Sequence, residues 1–201
     1  MPHYISALLE LILSITCYYY GALFMTRRYD LLTGGYMIIA FTAFIGVLDM
    51  IGQATFTELH SLATGVSRLA GMLSIGIGLI FILLRYRPHP WLSISVLTLS
   101  MIASYVLYKH DKPLLEWLCL AVGVVFLLTL VVLSVRLATS VRRREAMAAV
   151  SAVVLFGYIA VFHKSMPAGY LLRPVDVVHI CLILAYPAVY YAAMGYESMD
   201  N

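Results

Sequence analysis

Long apolar runs separated by short polar connections recur seven times along this chain, at 4–25, 35–54, 67–84, 91–108, 114–135, 146–162 and 175–196. A bilayer's hydrocarbon core is about 30 Å thick and takes about 20 residues of helix to cross; each run approaches that length. Inside lipid every backbone N–H and C=O must find a partner within the protein, so spans of this kind are helices. The pattern predicts an all-α, polytopic integral membrane bundle of seven transmembrane helices, with residues 1–201 forming one domain.

Composition points the same way. Hydrophobic residues make up 63% of the chain and charged residues 11%, and the mean hydropathy is +0.94. A soluble domain carries about 25% charged residues, so a large soluble core does not explain these values. The connections are all short, among them 135–146 with Arg136, Arg142, Arg143 and Arg144, which leaves no room for a soluble domain. The first run lacks the basic stretch that precedes a cleaved signal peptide and is expected to be a retained span.

Sorting the basic residues by connection gives an orientation. With seven spans, Arg27, Arg28, Arg85, Arg87, Arg136, Arg142, Arg143 and Arg144 fall on one side. The other side receives Arg68, Lys109, Lys112, Lys164 and Arg173. Lys and Arg concentrate in cytoplasmic loops, so the first set is expected inside. The N-terminus is then outside and the C-terminus cytoplasmic, in a bacterial-type plasma (inner) membrane. The net charge of +3 is accordingly read as a topology signal, and nucleic acid is not an expected partner. Tyrosines cluster near the inner ends of the first hairpin and of the last span, as aromatic residues do at membrane interfaces.

Small residues mark helix contacts, because in lipid close backbone approach replaces the hydrophobic drive to associate. Gly71, Ser74, Gly76 and Gly78 make the third span a candidate for tight packing. The hydroxyls of the fourth span, from Ser93 to Ser104, can bond to carbonyls of their own helix and do not require a polar pathway. Pro187 removes a backbone bond in the seventh span and is expected to bend it. Cys17, Cys119 and Cys181 lie inside spans without metal or disulfide spacing.

Ionisable residues within apolar runs carry the functional signal. A charge in the membrane is expensive and usually faces the bundle interior, paired and functional. Glu10, Asp49, Arg68, Glu116 and His179 stand in or at the edge of apolar runs, all in the outer half. Together with Tyr186 on the His179 face, they are the expected ligand-binding residues of an outward-facing polar pocket. Snorkelling and helix-terminus effects give Glu116 and Asp176 a purely structural alternative.

His179 and Asp176, joined by His163 or His60, would offer a His and carboxylate shell for a metal such as zinc. The chain has neither HExxH nor a second His four residues after His179. Haem ligation would need a second His clearly within a span, and a retinal Schiff base would need a Lys in the seventh span, which has none. No cofactor is indicated.

The function expected from these features is a membrane sensor or receptor module. It would bind a small ligand, ion or proton in the outer pocket and signal to a cytoplasmic partner. A metal-dependent intramembrane lipid hydrolase and a structural subunit of a membrane complex are the alternatives. The lipid bilayer is the expected partner in every case.

Overall fold

The computed structural model describes residues 2–52, 56–140, 142–162 and 173–199. Seven helices in it are long and apolar enough to cross a membrane: α1 Pro2–Thr26, α2 Asp30–Ile51, α3 Thr57–Leu83, α4 Pro90–His110, α5 Lys112–Thr139, α6 Arg143–Phe162 and α7 Pro174–Glu197. The chain is a multi-pass membrane protein, all-α among the described residues.

The start of α3 differs from expectation. Its helix begins at Thr57 and not at 67, because Glu58 and His60, which read as loop residues, occupy its first turns. Arg68 therefore does not open the span. It lies eleven residues in from Thr57, about 16 Å along the axis at 1.5 Å per residue. A π-helical stretch, Ser67–Gly71, interrupts α3 at that level.

Contacts between helices close a ring in the order α1, α2, α3, α5, α6, α7 and back to α1, with α4 lying outside against α2, α3 and α5. The outward faces are rich in large apolar side chains, among them Phe41, Leu99, Ile102, Leu120, Leu128 and Val154, as a lipid-facing surface requires. α4 turns three of its serines inward: Ser93, Ser100 and Ser104 are buried, while Ser95 is exposed. Ser100 and Ser104 bond to carbonyls of their own helix, at Leu97 and Ser100.

Glycines set the closest helix approach. A Cβ added at Gly35 of α2 would lie 2.8 Å from the Gly71 carbonyl oxygen and 2.6 Å from Ile75 of α3, so any side chain there would push the two helices apart. Inside the bundle, Tyr36, Phe126, Phe156 and Tyr186 pack edge to face in one buried layer, which Phe24, two residues from the end of α1, adjoins at a tilted angle. α7 continues through Pro187 without a break. Beside it, the Tyr36 hydroxyl donates to the Tyr186 carbonyl at 2.8 Å and so ties α2 to α7.

This layer separates two ends of different chemistry. The histidine end holds the first turns of α1, α3, α5 and α7 and the last turns of α2, α4 and α6. The arginine end holds the opposite termini, with the connections 27–29 and 84–89 and the residues Ser140 and Arg142.

Candidate functional site

α1 presents a buried seam of Ser6, Glu10, Leu13, Cys17 and Phe24, spaced by threes, fours and one full heptad so that they share a face. Its two positions nearest the histidine end are polar. α7 does the same with Asp176 and His179, one turn apart, followed by Tyr186 and Val189. Where these seams meet, two polar clusters form.

The outer cluster is a helix cap. The Asp176 carboxylate accepts from the Arg173 backbone N–H at 2.7 Å and from the Ser6 hydroxyl, and the Arg173 guanidinium also donates to Ser6. Asp176 is fully buried, and the positive end of the α7 dipole favours its charge. Its oxygens are thus committed to α1 and to its own helix start.

The second cluster is a chain of alternating acids and imidazoles. The Thr57 hydroxyl donates to Asp49 Oδ1 at 2.8 Å. His60 Nδ1 stands 3.3 Å from Asp49 Oδ2 and His60 Nε2 stands 3.8 Å from Glu10 Oε1. His179 Nε2 lies 3.2 Å from the same Glu10 oxygen. Four spans contribute: α1, α2, α3 and α7. Glu10 is only 4% exposed, so it meets imidazoles and not bulk water. Gly46, one turn before Asp49 on α2, makes the room. A Cβ there would fall 2.8 Å from Glu10 Oε1 and 3.0 Å from His60 Nε2.

A neutral imidazole has one N–H donor and one lone pair. A neutral His60 that donates Nδ1–H to Asp49 turns the Nε2 lone pair toward Glu10, leaving two acceptors facing each other across 3.8 Å. One added proton, on either group, converts that contact into an attraction. A neutral His179 that carries its proton on Nε2 can donate to Glu10 at 3.2 Å, and its buried Nδ1 is without a hydrogen-bond partner among the described residues. The cluster thus has two carboxylates, two imidazoles and one open acceptor.

Of the sequence candidates, Glu10, Asp49 and His179 come together, with His60 as the link between the first two. Arg68 and Glu116 do not join them. Both are exposed, and both lie close enough to Cys119 on α5 to act on it electrostatically. Tyr186 sits in the aromatic layer beneath the chain, its hydroxyl 3.7 Å from the Met72 sulfur. For metal ligation, Asp176 and His179 turn to different partners, and His163 lies outside the described residues. No three His, Cys, Asp or Glu side chains among the described residues are gathered around one point that would hold a metal ion.

His60, named from the sequence only as a possible metal ligand, was not among the expected pocket residues. It falls outside the apolar runs as read, and only the extra turns of α3 carry it into the bundle. Its signal was the short 55–66 stretch, where Leu59, Leu62, Ala63 and Val66 continue the apolar character of the span.

No protein-family model matches this chain, and no match to it is found among curated proteins or solved structures.

Proposed function

We propose that this protein is a membrane sensor or receptor module that binds protons, or a small cation or ligand, at the Asp49–His60–Glu10–His179 chain and signals to a partner at the arginine end. The observation that carries the reading is the 3.8 Å approach of His60 Nε2 to the Glu10 carboxylate, which becomes an acceptor-to-acceptor contact when His60 donates Nδ1–H to Asp49. Burial holds it in place, and a single positive charge changes its sign. Histidine is the side chain whose ordinary titration falls within physiological pH, which suits it to such a switch. The route inward is α7. His179 stands seven residues, about 10 Å along the axis, before Tyr186, where the Tyr36 bond and Pro187 adjoin. In the orientation argued from the charge distribution, the histidine end faces outward and the arginine end the cytoplasm.

The test uses purified protein in proteoliposomes, with an environment-sensitive fluorophore on a cysteine at Ser140 and the native cysteines replaced. Changing the external pH between about 5 and 8 should change the emission reversibly. Glu10→Gln and His60→Ala should each abolish the change while the helical circular dichroism persists. An unchanged emission in the parent protein would overturn the reading. A cysteine at Asp111 should be labelled from outside and one at Ser140 only after permeabilisation; the reverse result overturns the sidedness. The hydrolase alternative is read in the same preparation, where stoichiometric zinc that is lost in both His60→Ala and His179→Ala would support it.

A further inference from the structure

The arginine end carries a site of its own. α1 and α3 end there in the same way, with Phe24–x3–Arg28–Tyr29 and Phe81–x3–Arg85–Tyr86. In each, the tyrosine N–H bonds to the phenylalanine carbonyl, at 3.1 and 2.9 Å, and the arginine N–H to the next carbonyl, both at 3.0 Å. This is the double bond pattern of a Schellman cap, and its usual apolar contact is present as Phe24–Tyr29 and Phe81–Tyr86 ring packing. The left-handed position of such a cap is normally glycine. Here it is arginine, with φ of 60° at Arg28 and 54° at Arg85, a conformation unfavourable for any residue with a Cβ. Each cap thereby places an arginine at the rim.

Between the α3 cap and the end of α7 lies a cleft of about 120 Å³, lined by Tyr29, Arg85, Tyr86, Arg87, Tyr196 and Glu197 over Phe81 and Ile82. Its donors already surround one anion. Arg87 Nη2 donates to Glu197 Oε1 at 2.8 Å, and the Arg87 guanidinium lies 5.4 Å from the centre of the Tyr29 ring. Arg85 lies 6.0 Å from the Tyr196 ring centre. Burial pushes the Tyr29 phenol up to about 12, with a hydrogen bond and repulsion from Glu197 adding to it and Arg87 opposing, so this hydroxyl remains a donor at any physiological pH. The Glu197 carboxylate belongs to the last turn of α7.

We propose that this cleft binds a phosphate group, of an anionic phospholipid headgroup or of a free phosphate, and that the phosphate displaces the Glu197 carboxylate from Arg87 and Tyr29. Guanidinium groups match phosphate oxygens with paired donors. The volume suits a phosphate. The apolar floor at the end of a span places the site at headgroup depth. Because Glu197 ends the helix that carries His179, phosphate binding would also free the end of α7.

Delipidated protein in neutral detergent tests this by its thermal unfolding midpoint, with phosphatidylglycerol, phosphatidylcholine or inorganic phosphate added. Phosphatidylglycerol should raise the midpoint saturably. Arg87→Gln should weaken its apparent affinity about tenfold, the loss of one charged hydrogen bond. Glu197→Gln should strengthen it, a change that a merely structural ion pair would not give, and Arg136→Gln, an exposed arginine elsewhere on the same end, should leave it unchanged. Phosphatidylglycerol acting where inorganic phosphate does not assigns the site to lipid; inorganic phosphate reproducing the shift assigns it to a soluble phosphate. Equal responses in the parent protein and Arg87→Gln, equal responses to phosphatidylglycerol and phosphatidylcholine without any response to inorganic phosphate, or no response to any probe would overturn the proposal. An unchanged affinity in Glu197→Gln would overturn the displacement.

Discussion

The histidine end and the arginine end of this bundle handle charge in opposite ways. At the histidine end, Glu10, Asp49, His60, Asp176 and His179 come from four helices and point inward, so each depends on a partner supplied by another span or by a helix cap. At the arginine end, the charges sit on helix termini. The Arg87–Glu197 pair keeps its arginine 63% exposed, and Arg142 bonds to the Ser198 carbonyl at 2.6 Å and faces Glu145, one turn on. A buried group that loses its partner keeps the full cost of leaving water, whereas a rim group recovers hydration. The same number of interactions therefore carries very different energetic weight at the two ends.

The largest expected effect lies at the α7 cap. Arg173→Ala takes the guanidinium away from the fully buried Asp176 carboxylate and from Ser6 and should lower stability by about 3 kcal/mol or more. Arg87→Ala, its counterpart at the other end, should cost about 1 kcal/mol or less. Thermal unfolding of both variants in one detergent checks the contrast, and equal losses would erase the distinction between the ends.

A smaller effect is expected at Gly46. Gly46→Ala drives a methyl group into Glu10 and His60 and should cost about 1–3 kcal/mol by overpacking. It should also abolish the pH response of the Ser140 probe. Gly123→Ala on α5 is the matched control, because an added Cβ there meets nothing within 4 Å. It should be neutral or slightly stabilising, by up to about 1 kcal/mol of helix propensity.

The smallest effect runs in the other direction. Arg28→Gly removes the left-handed strain from the α1 cap and should raise stability by up to about 1 kcal/mol, after glycine's greater unfolded-state entropy has offset part of the relief. A loss of stability would show that the Arg28 side chain makes contacts worth more than the strain.

Much of the architecture is legible in sequence, because a bilayer imposes one length and one backbone conformation on anything that crosses it. Seven apolar runs were enough to predict seven helices. Their limits were less legible. His60 and Glu58 read as connection and shortened α3 by ten residues, since a hydropathy pattern cannot register that a polar side chain is compensated by another helix. The same limit displaced Arg68, which reads as the opening residue of a span and lies well inside one.

What the sequence by itself determined is which residues are costly in lipid. Glu10, Asp49 and His179 stand out because charge inside an apolar run always demands an explanation, wherever the helices go. Which of them meet was decided by tertiary structure alone. The ring order of the helices sets α1 against α2 and α7, and Gly46 opens the space in which Glu10 reaches His60. Arg68 and Glu116 carry as strong a sequence signal, yet they face away from that space. Partnership across helices depends on rotation about each axis and on a few close glycine contacts, and neither is written in the hydropathy of any single span.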